Sequence, residues 1–253
     1  MRARHKIIGI LMLMGVLAAL LSLPYLWGLF GSVLEEARHE LGVSEPLFNA
    51  LLIGQSALLY GVAALIGGLL YRRAGFRLPF LERLVGTEKS EVNLGRWTLW
   101  SLGTGLLVAI VVVAGDYVFY VLGSPLSFAE AELPAWWAGI LASISAGIGE
   151  ELLMRFFFMT LLTLALVNLL RLPPAVGVWA AILLAALLFG LLHLPATREL
   201  AELTPLVVTR ALLLNGIAGV AFGWLYWRKG LESAITAHIF ADVLLYGLLP
   251  GLI

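Results

Sequence analysis

Residues 135–170 read AWWAGILASISAGIGEELLMRFFFMTLLTLALVNLL, an apolar run whose only ionisable side chains are Glu150, Glu151 and Arg155. A bilayer core takes roughly 20 apolar helical residues. The run exceeds that length, so it predicts a membrane helix too long for one upright span. Ser143, Ser145, Gly147 and Gly149 follow one another closely within it, a density of small residues that predicts a break or kink.

Outward from this stretch the same signal recurs. Further apolar runs bounded by charge, Pro or paired aromatics extend over Ile7 to Phe30, Leu47 to Tyr71, Trp97 to Leu122, Val176 to Leu194, Leu206 to Trp227 and Leu231 to Leu249. With Ala135 to Leu170 they make seven spans, or eight if the long run divides in two. Trp97 and Trp100, Trp136 and Trp137, and Trp224 and Trp227 lie near span ends, where an amphipathic ring suits the headgroup level. The totals agree: 61% of the 253 residues are apolar and 13% charged, with a mean hydropathy of +0.99, so most of the chain must face lipid. The fold class expected is an all-α, polytopic transmembrane bundle with a polar intramembrane cavity. No internal repeat, linker or second domain interrupts residues 1–253, read as one integral membrane domain.

Charge sets the expected orientation. Met1 to Lys6 is basic, and the run from Ile7 to Phe30 exceeds the h-region of a secretory signal, so it is read as a retained first span. Arg72, Arg73, Arg77, Arg83, Lys89 and Arg96 make the second connection basic, whereas Glu35, Glu36 and Glu40 outnumber Arg38 in the first. By the positive-inside rule the N-terminus and the basic connection are cytoplasmic. Arg171, Arg228 and Lys229 fit the same side, and Glu130 and Glu132 the outside. Sixteen basic residues balance sixteen acidic ones, which argues against a nucleic-acid partner. The absence of cysteine excludes disulfides, thiolate metal sites and cysteine nucleophiles.

An ionisable side chain within a span costs several kcal/mol unless paired or hydrated, so each needs a reason. Glu151 and Arg155, four residues apart on one helical face, can neutralise each other. Glu150 is left as the unpaired acid and the candidate general base. Phe189 precedes His193 by one turn at the end of an apolar helix, walling a site in which His193 works. His238 and Asp242 share a face of the last span and can bind metal or position an oxyanion. Each cluster alone admits a structural reading: a Glu–Arg pair can brace helices, a His at a span end can sit at the interface, and a His–Asp pair can serve either purpose. Their joint occurrence on three helices of one small bundle favours a shared site. Asp116 and Asn215 are read as interhelical hydrogen-bonding groups, and Arg210 as a cation snorkelling from a span end.

At these residues the chain resembles the CPBP family of intramembrane proteases, which includes the CAAX prenyl endopeptidases and proteins tied to bacteriocin processing or self-immunity. The family's Glu-Glu-x-x-x-Arg, Phe-x-x-x-His and His-x-x-x-Asn/Asp motifs are matched in order by Glu150, Glu151 and Arg155, by Phe189 and His193, and by His238 and Asp242. Gly219 to Asp242 also looks like the family's connected final helices, which places the CPBP-like catalytic core at 135–249. The resemblance implies a peptide-bond hydrolase in which Glu150 and His193 activate water, His238 with Asp242 stabilises the tetrahedral intermediate, and Glu151 with Arg155 braces the first motif. Asp242 stands where the prenyl-protease branch usually has Asn. An ionised carboxylate would repel an oxyanion, so Asp242 must be protonated, orient His238 or bind metal. Zinc on Glu150, His193, His238 and Asp242 is an open alternative to a metal-free glutamate mechanism. The substrate expected is a peptide or lipidated peptide reaching the site through the bilayer.

Two other classes stay open: a non-catalytic scaffold or immunity factor on the same fold, and a small ion or metal transporter using the same polar residues as a midplane relay. One geometric conflict stands against a common site. His193 closes the fifth span and His238 lies about two turns into the seventh, which sets them at opposite depths. A recessed, irregular connection from Pro195 to Pro205 would reconcile them.

Overall fold

The structure, a computed structural model, describes residues 2–87, 92–127 and 134–248. Glu130, Glu132 and Lys89, used above to orient the chain, lie outside the described residues. Among those described there is no strand, and seven helical rods are long and apolar enough to cross a membrane. They are α1 (Arg2–Leu41), α2 (Glu45–Leu70), α4 (Leu94–Val121), α5 (Trp136–Glu151) with its continuation to Leu169, α7 (Pro174–Leu192) running into α8 (Leu194–Leu200), α9 (Pro205–Lys229), and α10 (Leu231–Asp242) with a π segment Val243–Leu248. A short α3 (Pro79–Leu84) sits in the connection between α2 and α4.

Local chemistry sets the starts of these helices. Pro174 and Pro205 open α7 and α9 at first-turn positions that need no amide donor. The Asn93 side chain accepts from Arg96 N at 2.9 Å to cap α4, and Thr204 Oγ1 accepts from Val207 N at 3.3 Å to cap α9. Between α9 and α10 a single residue, Gly230, reverses the chain at φ +98°, a conformation that L side chains disfavour.

Three expectations are corrected. First, α1 does not end at Phe30: it kinks there (φ −121°, ψ 25°) and resumes to Leu41. Glu35 and Arg38, expected in a loop, pair one turn apart on this extension. Second, the chain from Ser143 to Gly149 is unbroken helix. Ser143 Oγ donates to Gly139 O, and Ser145 Oγ donates to Ala18 O of α1, each at 2.7 Å, so both hydroxyls are satisfied without opening the backbone. The distortion comes later: the helix widens into π geometry over Leu152–Met159, returns to α6 (Thr160–Leu164), and widens again over Ala165–Leu169. Third, the stretch after His193 is irregular only over residues 201–204, because α8 carries the rod on to Leu200.

The small residues of the fourth run serve close packing instead of a break. α5 lies against α1 and α10, and α10 is also lined by α4 and α9. A Cβ on Gly147 would sit 3.0 Å from Ile239 N and 3.2 Å from Ile235 O, and one on Gly105 would sit 2.5 Å from Ala237 O. α10 therefore approaches both neighbours backbone to backbone, the close approach that small residues permit in membrane bundles. Arg210 does not snorkel: it pairs with Asp116, joining α9 to α4, and both side chains are largely buried. Asn215 donates to Ala211 O at 2.8 Å within its own helix, not across to a neighbour.

Candidate active site

Glu150 and Glu151 end α5 as its geometry changes to the π turn, a distortion often found at functional sites. Adjacent helical residues point about 100° apart, and the two carboxylates meet different surroundings. Glu151 has 0% of its side chain exposed, and Glu150 has 32%. One is sealed in the protein, and the other is left open to reactants.

Glu151 Oε1 lies 3.1 Å from Arg155 Nη1, as the spacing predicts. The same oxygen also lies 2.8 Å from His238 Nδ1 on α10, a partnership across 87 residues that no local spacing could reveal. A carboxylate here accepts, so Nδ1 carries the proton and donates. Arg155 Nη2 donates to Gly219 O on α9 at 3.1 Å, and the guanidinium lies over the Phe189 ring at 4.9 Å. A buried relay therefore runs from α9 through Arg155 and Glu151 to His238, with each charge facing an opposite charge or a π face.

With Nδ1 held, the imidazole presents Nε2 to the open side. Nε2 is 3.4 Å from Asp242 Oδ2 and 3.7 Å from Glu150 Oε2, so the first and third motifs meet at one ring atom. Phe222 stacks on the same ring, 4.6 Å between centroids with planes 21° apart. Sequence reasoning passed over Phe222: it lies in the Gly219 to Asp242 stretch, but nothing in its spacing marks it.

The second motif joins through Phe189. Its ring stands edge-on to His193 at 4.7 Å and to His238 at 6.1 Å, so both imidazoles flank one phenyl group. The depth conflict dissolves for a stereochemical reason. Helical side chains lean toward the N-terminus, and His193, at the joint of α7 and α8, turns its ring back so that Nδ1 lies 2.8 Å from Phe189 O. The ring thus leans back along α7 toward Phe189, whose ring also borders His238. All seven motif residues fall in this one cluster.

Among the described residues no group of three or more His, Asp or Glu side chains is placed to hold a metal ion. His238 turns one nitrogen to Glu151, and His193 turns one to the Phe189 carbonyl.

Residues 132–244 match the family model described as type II CAAX prenyl endopeptidase Rce1-like. No curated protein and no solved structure matches the chain. The matched segment contains every motif residue of the cluster, from Glu150 to Asp242, and this part of the chain is similar to the Rce1-like type II CAAX prenyl endopeptidases.

Proposed function

We propose that the chain is an intramembrane endopeptidase that hydrolyses its substrate with a water activated by Glu150. The observation that carries this reading is the contrast between the two glutamates. Glu151 is sealed and spends its charge on Arg155 and His238, whereas Glu150 is open and faces the same imidazole. Water placed between Glu150 and His193 gives a proton to the Glu150 carboxylate as its oxygen attacks the scissile carbonyl carbon. His238, protonated on both nitrogens, donates from Nε2 to the oxyanion that forms while Nδ1 stays anchored on Glu151, and Asp242 keeps the ring in plane. As the intermediate collapses, the C–N bond breaks and Glu150 returns the proton to the leaving amine. No metal takes part in these steps. The substrate is a peptide, prenylated or not, that reaches Glu150 from the lipid.

Cleavage profiling of the purified, membrane-reconstituted chain tests this. Glu150→Gln keeps size and polarity but cannot take up a proton, and it is expected to lower turnover at least a hundredfold. His193→Ala is expected to do nearly the same, with both variants still inserted. Undiminished cleavage in Glu150→Gln removes Glu150 as the activating base, and absence of cleavage by the wild type removes the hydrolase reading in favour of a scaffold. Zinc at one ion per chain in the purified protein, lost together with activity on chelation, removes the metal-free mechanism.

A further inference from the structure

The second helix carries a polar side chain that the rest of the bundle leaves to the lipid. α2 packs mainly against α1 on one side and against the π turn that follows α5 on another, and its third face is uncovered. Along that face Leu51, Gln55, Leu58, Val62, Leu65 and Leu69 recur at alternating spacings of four and three residues, and all six are exposed. Lipid chains satisfy the five aliphatic ones but not Gln55. It lies about 9 Å along the helix from Asn49, which accepts from Trp27 Nε1 at 2.8 Å near one end of the span, and about 24 Å from Tyr71, whose hydroxyl donates to Glu82 at the other. That depth is inside the hydrocarbon core. The Gln55 amide has no hydrogen-bond partner among the described residues, and a primary amide in hydrocarbon is costly unless another helix completes its bonds.

The pattern says what kind of helix completes them. A four-three repeat of apolar side chains with one polar residue on the seam is the arrangement by which two parallel helices fix their register. A carboxamide both donates and accepts, so its complement is the same carboxamide on a copy related by a two-fold axis. Two chains inserted the same way round bring their α2 helices together in parallel about an axis normal to the bilayer, with Gln55 facing Gln55. Gly54 and Gly61 flank the seam, and a Cβ on either would meet nothing within 4 Å, which leaves the room for close approach that membrane helices use. We propose that the chain forms a two-fold dimer through this face of α2, locked by a hydrogen-bonded pair of Gln55 amides within the bilayer. The seam points away from the catalytic cluster. Tyr60, about 140° around the helix from Gln55, is the α2 residue that turns toward Glu150: a Cβ on the neighbouring Gly149 would sit 2.6 Å from its hydroxyl. The dimer is therefore independent of the hydrolase reading.

The sequence has no cysteine, so a single introduced thiol reports which face meets a second copy. Leu58→Cys, one turn from Gln55 on the seam, is expected to form a disulfide-linked dimer when the full chain is oxidised in bilayers at low protein-to-lipid ratio. Leu107→Cys, similarly exposed on α4, should remain monomeric. Adding Gln55→Leu to Leu58→Cys keeps the face apolar and should weaken dimerisation about tenfold, whereas Gln55→Asn retains the amide and should keep most of it. Single-molecule photobleaching of the fluorescently tagged wild type needs no disulfide, and two fluorophores per particle are expected. One fluorophore per particle overturns the proposal, as does a Leu58→Cys cross-link no stronger than that of Leu107→Cys. An undiminished cross-link after Gln55→Leu removes the amide lock. Cross-linking of Leu58→Cys in native membranes to another protein, in place of its own copy, would make the occupant a different helix and overturn the dimer.

Discussion

Two neighbouring carboxylates differ in role because they differ in what they touch. On the proposed mechanism Glu151 is a positioning residue, fastened to Arg155 and His238 with none of its side chain exposed, while Glu150 is open enough to meet a reactant. The two glutamine variants should therefore fail differently. Glu150→Gln is expected to abolish cleavage with an unfolding midpoint close to that of the wild type. Glu151→Gln leaves Arg155 a buried charge without its counterion and loosens His238, and should cost about 2–3 kcal/mol of stability as well as activity. Thermal unfolding of the two purified variants checks this, and equal midpoints would show that Glu151 does not hold the relay. The motif residues were legible from spacing and charge alone because an ionisable group in an apolar run stands out. The bond from Glu151 to His238 was not, since only the packing of α5 against α10 creates it. Phe222 was invisible for a simpler reason: an aromatic in a span looks like any other lipid-soluble residue.

At the scale of elements, runs of about 20 apolar residues located all seven rods, because hydropathy integrates over a whole span. It is blind to what happens inside one. Gly147 and Gly149 carry the same letters whether they open a kink or admit a neighbour, and here α10 approaches Gly147 closely enough to place Ile239 N 3.0 Å from a hypothetical Cβ. The π turns just after Glu151 left no trace in composition, and the extension of α7 through α8 was hidden by Pro195, which is tolerated in the first turn of the new helix. Gly147→Val tests the element-level argument. The added carbons meet the Ile239 side chain and, behind it, the α10 backbone at Ile239 N and Ile235 O, which no side-chain rotation relieves, so α5 and α10 must separate. Overpacking of this kind typically costs about 1–3 kcal/mol. Because the displaced helix carries His238, cleavage should fall far more than stability does. A variant with wild-type turnover would show that the approach of α5 to α10 does not set the site.

Over the whole molecule, charge is sorted between the two ends of the bundle. The end bearing the α1–α2 turn carries Glu35, Glu36, Glu40 and Glu45, with Glu199 and Glu202 at the α8–α9 turn, against Arg38 and Arg198. The other end carries Arg4 and Lys6, Arg72, Arg73, Arg77 and Arg83 around α3, and Arg171, Arg228 and Lys229. Several of these basic side chains are anchored. Arg72 donates to Glu82 at 2.9 Å, as does Tyr71, whose hydroxyl is pushed up to about 12 by burial and then by that same carboxylate, so it remains a donor. Insertion should place this basic end in the cytoplasm, and the chain's lack of cysteine makes the test clean. Arg83 and Glu40 are both exposed, at opposite ends of the bundle. In intact cells an impermeant maleimide is expected to label Glu40→Cys and to spare Arg83→Cys until the membrane is permeabilised. The reverse pattern would invert the molecule, because charge asymmetry of this kind acts on the bundle as a unit and cannot flip one end alone.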